Sequence, residues 1–377
     1  MSEDKYTLSE YERLALANII NLSDGHARHS LTEQQRAIVG RSLEFFDRSL
    51  SLKQRDVELE FLTYFFRCAA QGMRPEDANM YLNFSSSSAI KIGAQFCRMR
   101  GLAVFLIEPC FDNIVHMLKS EGVQVYPIHE DALGNLDGIA ERLDANSAIW
   151  IVQPNNPTGF CLSRSAFINL IKVATARRAT VIVDFCFRFY ADCLQQWDQY
   201  SALNESRTSF LTFEDTGKTW PLSDTKVGIT VCSADTAPII YRLHDELLLN
   251  VSPFHLLLIT EFIKHTLDKG FYNTIRQSVE HNRALIHTLV AKGLVEHASQ
   301  WSYNVPMALL KLPRELHATR FWANLRRKGV DVLPAKNYFW SRSQDGESLL
   351  RIPLSRPKED VETAIPLIEE TLLSSLL

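Results

Sequence analysis

Short apolar runs spaced between helical stretches constrain this chain most. They fall at 103–107, 148–152, 180–183, 210–213 and 228–232. Several are rich in Val and Ile and lack strict polar–apolar alternation. Strands that are apolar on both sides belong inside a mostly parallel sheet covered by helices on both faces. The stretches 113–120 and 163–176 have helical spacing and supply the crossovers that parallel strands need. The expected fold is therefore α/β. In open sheets of this kind ligands sit outside the carboxyl ends of the strands. Pro109, Asn156, Asp184 and Lys218 all fall at or just past such ends.

After about residue 255 the pattern changes. Long helical stretches at 254–267 and 272–291 precede strand-like pieces at 307–312 and 348–354, which reads as a smaller α+β unit. A chain of 377 residues is also too long for one simple core. The expected division is an N-terminal arm at 1–30, a large domain at 31–255 and a small C-terminal domain at 256–377. Ser9-Glu10-Tyr11-Glu12 has the pattern of a capping box, so a short helix is expected to start in the arm.

Composition narrows the function classes. A formal net charge of -4 argues against a general nucleic-acid or anionic-membrane binder. No apolar run approaches the roughly 20 residues of a membrane span. The start, Met1-Ser2-Glu3-Asp4-Lys5, is polar and lacks the apolar core of a signal peptide. Seven cysteines without Cys-x-x-Cys spacing suggest reduced thiols in a cytoplasmic protein, with neither a metal site nor a disulfide framework.

The polar residues at the strand ends form an ordered set. Asn-Asn-Pro-Thr-Gly occupies 155–159, Val-Ile-Val-Asp ends at Asp184, and Glu-Asp-Thr-Gly-Lys ends at Lys218, with a second cation at Lys226 just before Gly228. An amine, a buried acid, an amide donor and cations near an anion-binding turn are the parts that pyridoxal 5'-phosphate requires. Its aldehyde takes an amine, its ring nitrogen an acid, its phenolic oxygen a donor and its phosphate cations.

On these motifs, residues from about 80 to 355 resemble the fold-type I pyridoxal phosphate enzymes, the aspartate aminotransferase superfamily. The resemblance implies a mostly parallel seven-stranded sheet in the large domain at 31–255, which would bind the cofactor, an arm at 1–30 that would cover the active site, and a homodimer. By position it implies that Lys218 bonds the cofactor's aldehyde, Asp184 pairs with the ring nitrogen and Asn156 donates to the phenolic oxygen. Phe111 would stack on the ring. Ser85, Ser86 and Ser87 stand at the usual phosphate loop, where amides and hydroxyls at a helix start suit an anion. Lys226 stands where relatives hold the phosphate with an arginine, and Arg351 matches the clamp for a substrate α-carboxylate.

Three features depart from an ordinary aminotransferase. Asp215 replaces a phosphate-binding serine, and is expected to face the substrate pocket because it would repel the phosphate. Phe187 replaces a tyrosine that donates to the phenolic oxygen. The arm carries Leu14-Ala15-Leu16 and then Asp24-Gly25-His26-Ala27-Arg28. With Glu214 to Lys218, Phe111-Asp112-Asn113 and Val251-Ser252-Pro253, these resemble a narrower group, the pyridoxal phosphate-dependent L-arginine oxidases of antibiotic-type pathways. Members use O2 to make 4-hydroxy-2-oxoarginine or dehydroarginine products and release ammonia. Carried over by position, Glu12 and Asp215 would hold the substrate guanidinium, and His26 would be a nearby acid or base. Two carboxylates suit a guanidinium, which stays protonated and offers paired donors. Apart from the resemblance, His26 would read as a surface histidine. A conventional aminotransferase of a basic amino acid is the alternative, and both oxidase outcomes, hydroxylation and dehydrogenation, share the same residues.

Overall fold

The structure, a computed structural model, describes residues 6–376. The polar start at 1–5, expected to lack a signal sequence, lies outside the described residues. Among those described, no helix is long and apolar enough to cross a membrane.

Among the described residues, twelve strands make two sheets. The first, β1 (Ile20–Leu22), joins the smaller sheet. The larger, seven-stranded sheet holds β2 (Asn79–Asn83), β3 (Ala103–Glu108), β4 (Val125–His129), β5 (Ser147–Val152), β6 (Thr180–Asp184), β7 (Phe210–Asp215) and β8 (Gly228–Cys232). The smaller sheet is completed by β9 (Glu296–His297), β10 (Met307–Lys311), β11 (Val330–Pro334) and β12 (Leu349–Pro353).

The large sheet runs β2-β8-β7-β6-β5-β3-β4. Only β8 runs against its neighbours; the ladders from β7 through β4 are all parallel. This is the mostly parallel α/β sheet that the apolar runs demanded. Every residue of β5, β6, β7 and β8 is buried. The two edge strands, β2 and β4, are only partly buried, with Tyr126 on β4 38% exposed. The covering helix Ser86–Met99 lies so close to the sheet that a Cβ on Gly93 would come within 2.6 Å of the Phe213 ring.

Register sets up the site. Val152 pairs with Asp184 and Asp184 with Phe213, so β5, β6 and β7 end side by side. Asp215 pairs with Gly228 across the antiparallel step. The segments that leave these ends therefore emerge together.

The smaller sheet runs β1-β11-β12-β10-β9. The arm is thus not simply a flap. Ile20 to Leu22 pairs in parallel with Val330 to Val332, and Tyr11 packs edge-on against Trp322 at 4.8 Å between ring centroids. The arm's helix is Leu8–Ala15, and its cap differs from the expected one. Thr7 and Glu10 form the capping box, with Glu10 accepting from the Thr7 amide at 2.7 Å. Two overlapping sequences, Thr7-x-x-Glu10 and Ser9-x-x-Glu12, satisfy the same pattern. The first takes the cap and releases Glu12 for tertiary contact. In the expected helix over 272–291 the first turn, Tyr272–Arg276, is a π-helix, and Gln277–Ala291 continues as α-helix.

Candidate active site

One cavity lies at the carboxyl ends of β5, β6 and β7, under the arm. Lys218, Asp184, Asn156, Phe111, Ser86, Ser87, Arg351, Glu12 and His26 all line it, together with Phe187. Residues from the arm, the large sheet and the small sheet thus meet in one space.

Asp184 ends β6 and is buried. Its Oδ1 accepts from the Cys186 amide at 2.9 Å. Burial pushes its carboxyl above the usual range and Asp215 adds to that, while the Cys186 contacts and Lys218 pull the other way. Such a carboxylate gains most from a cationic partner. Lys218 sits on a 3-10 turn, Thr216–Lys218, directly after β7. Its carbonyl accepts from the Tyr190 hydroxyl at 3.1 Å, which fixes the turn from below.

Asn156 is held by its neighbours in the Asn-Asn-Pro-Thr-Gly turn. Asn155 Nδ2 donates to the Pro109 carbonyl at 2.6 Å and to Glu130 Oε1 at 2.5 Å. Thr158 Oγ1 donates to the same Glu130 oxygen. Burial pushes the Glu130 carboxyl up to about 7 against those two bonds. Gly159 closes the turn with φ of +77°, and a Cβ there would overlap the Trp301 carbonyl oxygen at 2.0 Å.

The end of the cavity under the arm was less visible in the sequence. Arg351, on β12, is fully buried. Its Nη1 donates to the Tyr338 hydroxyl at 2.8 Å, and that hydroxyl donates to Asn156 Oδ1 at 3.3 Å. Tyr338 thus joins the arginine to the amide; it sits on a 3-10 turn, Lys336–Tyr338, with no motif around it. Arg351 Nη2 donates to Glu12 Oε1 at 3.2 Å and to the Ser23 carbonyl. Burial opposes charge on Arg351, but Tyr338, Glu12 and Asp24 outweigh it and raise its affinity for its proton. Gly25 lets the arm come close, since a Cβ there would lie 3.3 Å from Arg351 Nη1.

His26 has a partner that the sequence reading missed. Its Nδ1 lies 2.6 Å from Asp24 Oδ1, and its backbone amide donates to the same oxygen at 3.0 Å. Arg28 Nε donates to the other Asp24 oxygen at 3.0 Å. Burial alone would raise the Asp24 carboxyl, but His26, Arg356 and Lys218 outweigh it and hold it well below the usual range. The available signal was Asp24 two places before a histidine in a glycine turn.

Three expected residues stand apart from the cavity walls. Ser85 is the N-cap of helix Ser86–Met99, where its hydroxyl accepts from the Ser88 amide at 3.3 Å. Lys226 Nζ donates to the Ser223 carbonyl at 2.9 Å. Asp215 was expected to face the substrate pocket, but its carboxylate turns to backbone. It accepts from the Ser86 amide at 2.9 Å and from the Gly217 amide at 2.7 Å. The free amides at a helix start and a tight turn are strong donors to an anion, which accounts for that orientation. Among the described residues, no group of three or more His, Cys, Asp or Glu could hold a metal ion.

The sequence matches the family Aminotransferase class I and II over residues 19–368, and the chain belongs to that family. It has the fold-type I architecture and is a pyridoxal 5'-phosphate enzyme. Particular relatives sharpen the comparison. A structure of MppP soaked with the product 2-ketoarginine is 28% identical, with a TM-score of 0.86, and the match covers 93% of this chain and 98% of that one. The α-aminoadipate aminotransferase LysN from Thermus thermophilus shares 15% identity at a TM-score of 0.79, over 99% of this chain and 96% of that one, a likeness of fold alone. Histidinol-phosphate aminotransferase 1 of Bacillus cereus is 26% identical over 133 residues. That match spans only 35% of each chain.

Proposed function

We propose that the protein is an O2-consuming, pyridoxal phosphate-dependent oxidase of L-arginine. It would release ammonia and a 4-hydroxy-2-oxo or dehydro product. The observation that carries this reading is the arm, which brings Glu12 and a carboxylate-held His26 into the cavity that Lys218 and Arg351 line. The overall likeness to MppP supports it, because 2-ketoarginine is an arginine whose α-amine has become a ketone.

The residues fit the cofactor. Lys218 is the amine for its aldehyde, and Asp184 is a desolvated acid suited to its ring nitrogen. Phe111 offers a ring face and Asn156 an amide. The Ser86 amide already takes an anion, the Asp215 carboxylate, so the start of that helix suits a phosphate. The bound cofactor supplies an electron sink for the substrate's α-carbon.

The chain's own groups do the rest. Lys218 takes the proton from the α-carbon. Arg351 holds the substrate carboxylate, and Tyr338 keeps the guanidinium fork of Arg351 aligned. Glu12 and Arg351 are paired before the substrate binds. A zwitterionic arginine exchanges that one pair for two, its carboxylate going to Arg351 and its guanidinium to Glu12. Asp215 would be the second carboxylate for the guanidinium, a role that requires its carboxylate to leave the Ser86 and Gly217 amides. His26, oriented by Asp24, moves a proton at the substrate side chain or directs water to it. The packed arm keeps bulk water from the reacting carbon. Subunits pair as a homodimer by analogy of fold.

The test is to give the cofactor-loaded protein L-arginine in an oxygen electrode and to identify products by mass spectrometry. Arginine-dependent O2 uptake with ammonia release is expected. Turnover that needs a 2-oxo acid as amino acceptor and consumes no O2 would instead make it an aminotransferase of a basic amino acid. The partial likeness to histidinol-phosphate aminotransferases favours that second reading.

A further inference from the structure

Two thiols meet on the outer side of the turn that presents Asn156. Cys161 Sγ and Cys193 Sγ lie 3.3 Å apart. Cys161 is buried and Cys193 half-buried, and both line an open cleft with Glu130, Phe160 and Trp301. We propose that this pair is a reversible oxidation site, at which a hydroperoxide closes a Cys161–Cys193 disulfide and a dithiol reopens it.

Proximity makes the bond accessible. A disulfide needs its sulfurs about 2 Å apart, so the two side chains must close by little more than one ångström. Both cysteines also lie outside regular strands: Cys161 follows the 155–159 turn, and Cys193 belongs to the four-residue helix Asp192–Gln195.

Reactivity is concentrated on one sulfur. Cys193 and Cys161 share a thiol hydrogen bond, which brings the Cys193 thiol down to about 7 against the opposing pull of burial and Asp192. A thiolate is the nucleophile in thiol oxidation, so Cys193 is the attacking group. The other thiols are protected. Burial pushes Cys68 and Cys232 up to about 12, and raises Cys97, Cys110 and Cys186 well above the usual thiol range.

The chemistry balances. The Cys193 thiolate attacks one oxygen of hydrogen peroxide, the O–O bond breaks, and a sulfenic acid and hydroxide form. The Cys161 sulfur then attacks the Cys193 sulfur, the S–O bond breaks and water leaves with the Cys161 proton. Hydroxide takes up the proton that Cys193 had lost. In total two thiols lose two electrons and two protons, and peroxide becomes two waters.

The site also has a handle on the active centre. Cys161 continues the chain from Asn156, and Cys193 continues it from Tyr190, whose hydroxyl bonds the Lys218 carbonyl. The disulfide would therefore pin together the two segments that hold the amide and the lysine.

The experiment treats cofactor-loaded protein, without amino acid substrate, with hydrogen peroxide at about one equivalent. Free thiols are then alkylated and the digest is mapped by mass spectrometry. The expected result is loss of two of the seven alkylatable thiols, one peptide pair linked through Cys161 and Cys193, and recovery with dithiothreitol. Cys161→Ser should stop at a sulfenic acid on Cys193 that dimedone captures, and Cys193→Ser should lose the peroxide reaction. Alkylation of Cys193 in the untreated wild type should outpace that of the five other thiols at neutral pH, a readout that needs no variant to fold. Linkage to a different cysteine, Cys193 reacting no faster than the buried thiols, or direct passage to sulfinic acid with no linked peptide would each overturn the proposal.

Discussion

Replacing Glu12 with glutamine tests the proposed exchange of ion pairs most directly. Glu12 Oε1 accepts from Arg351 Nη2 at 3.2 Å and from the Gly25 amide at 3.3 Å. Glutamine keeps an acceptor oxygen for both, so the arm should stay packed. What disappears is the charge offered to a guanidinium. A hydrogen bond to a charged group contributes about 1.5–3 kcal/mol and a neutral one about 0.5–1.5 kcal/mol. The difference is about 1–2 kcal/mol, and Glu12 is shielded enough to keep it, with a side chain 17% exposed. The expected loss is about 5- to 30-fold in kcat/KM for L-arginine. The assay compares L-arginine with L-citrulline, its uncharged isostere, in wild type and Glu12→Gln. The loss should appear with arginine and be absent with citrulline. An equal loss for both substrates would refute the reasoning, because Glu12 would then serve only Arg351 and the arm.

Other consequences follow from the same geometry. Asp184→Asn should lower kcat by about 100-fold or more while leaving Tm nearly unchanged, because burial already disfavours the charged form and the amide costs the fold little; kcat and a thermal melt read both. Glu130→Gln should flatten the pH dependence of stability. The folded carboxyl, at about 7 against 4.5 unfolded, holds its proton more tightly than the unfolded one. Wild type therefore loses stability as pH rises from about 4.5 to 7, and melts across that window should show a smaller slope in the variant. Deleting residues 1–16, which spares β1, should leave the cofactor bound but uncouple O2 uptake from oxidised arginine, as the absorbance spectrum and product yield would show.

The part of the cavity at the strand ends was legible because its parts are local. Val-Ile-Val-Asp needs only a buried strand to carry Asp184 to its carboxyl end, and register does the rest. The Asn-Asn-Pro-Thr-Gly turn encodes its own geometry, down to a glycine at positive φ. The side of the cavity under the arm depends on contacts between distant segments, and single residues carry no trace of those. Tyr338 has no motif, yet it bridges Arg351 to Asn156. Asp24 is an ordinary acid until the fold sets it against His26. Two overlapping capping boxes left the role of Glu12 open, and only the packing of Tyr11 on Trp322 decides which one caps the helix. Asp215 shows the opposite limit: it was expected to face the substrate pocket, and the pull of the Ser86 and Gly217 amides on its carboxylate left no trace in the sequence.

The small sheet explains how these distant parts are held together. Its order sets β1 beside β11 and β11 beside β12, which carries Arg351. The arm is therefore registered against Arg351 through a ladder of backbone hydrogen bonds, not through a loose linker. Ser23 directly follows β1, and its carbonyl accepts from Arg351; Asp24, Gly25 and His26 come next. Glu12 reaches the same arginine from the helix that precedes the strand. At the helix start, the Leu8 amide donates to Asp112 of the large domain at 2.9 Å. Arm, arginine and histidine thus form one unit that faces the strand ends carrying Lys218 and Asp184. Arg351 is built into a strand whose neighbours bring in a carboxylate and a paired histidine; under the proposed function these are the two groups that would grip a guanidinium and move protons along its side chain.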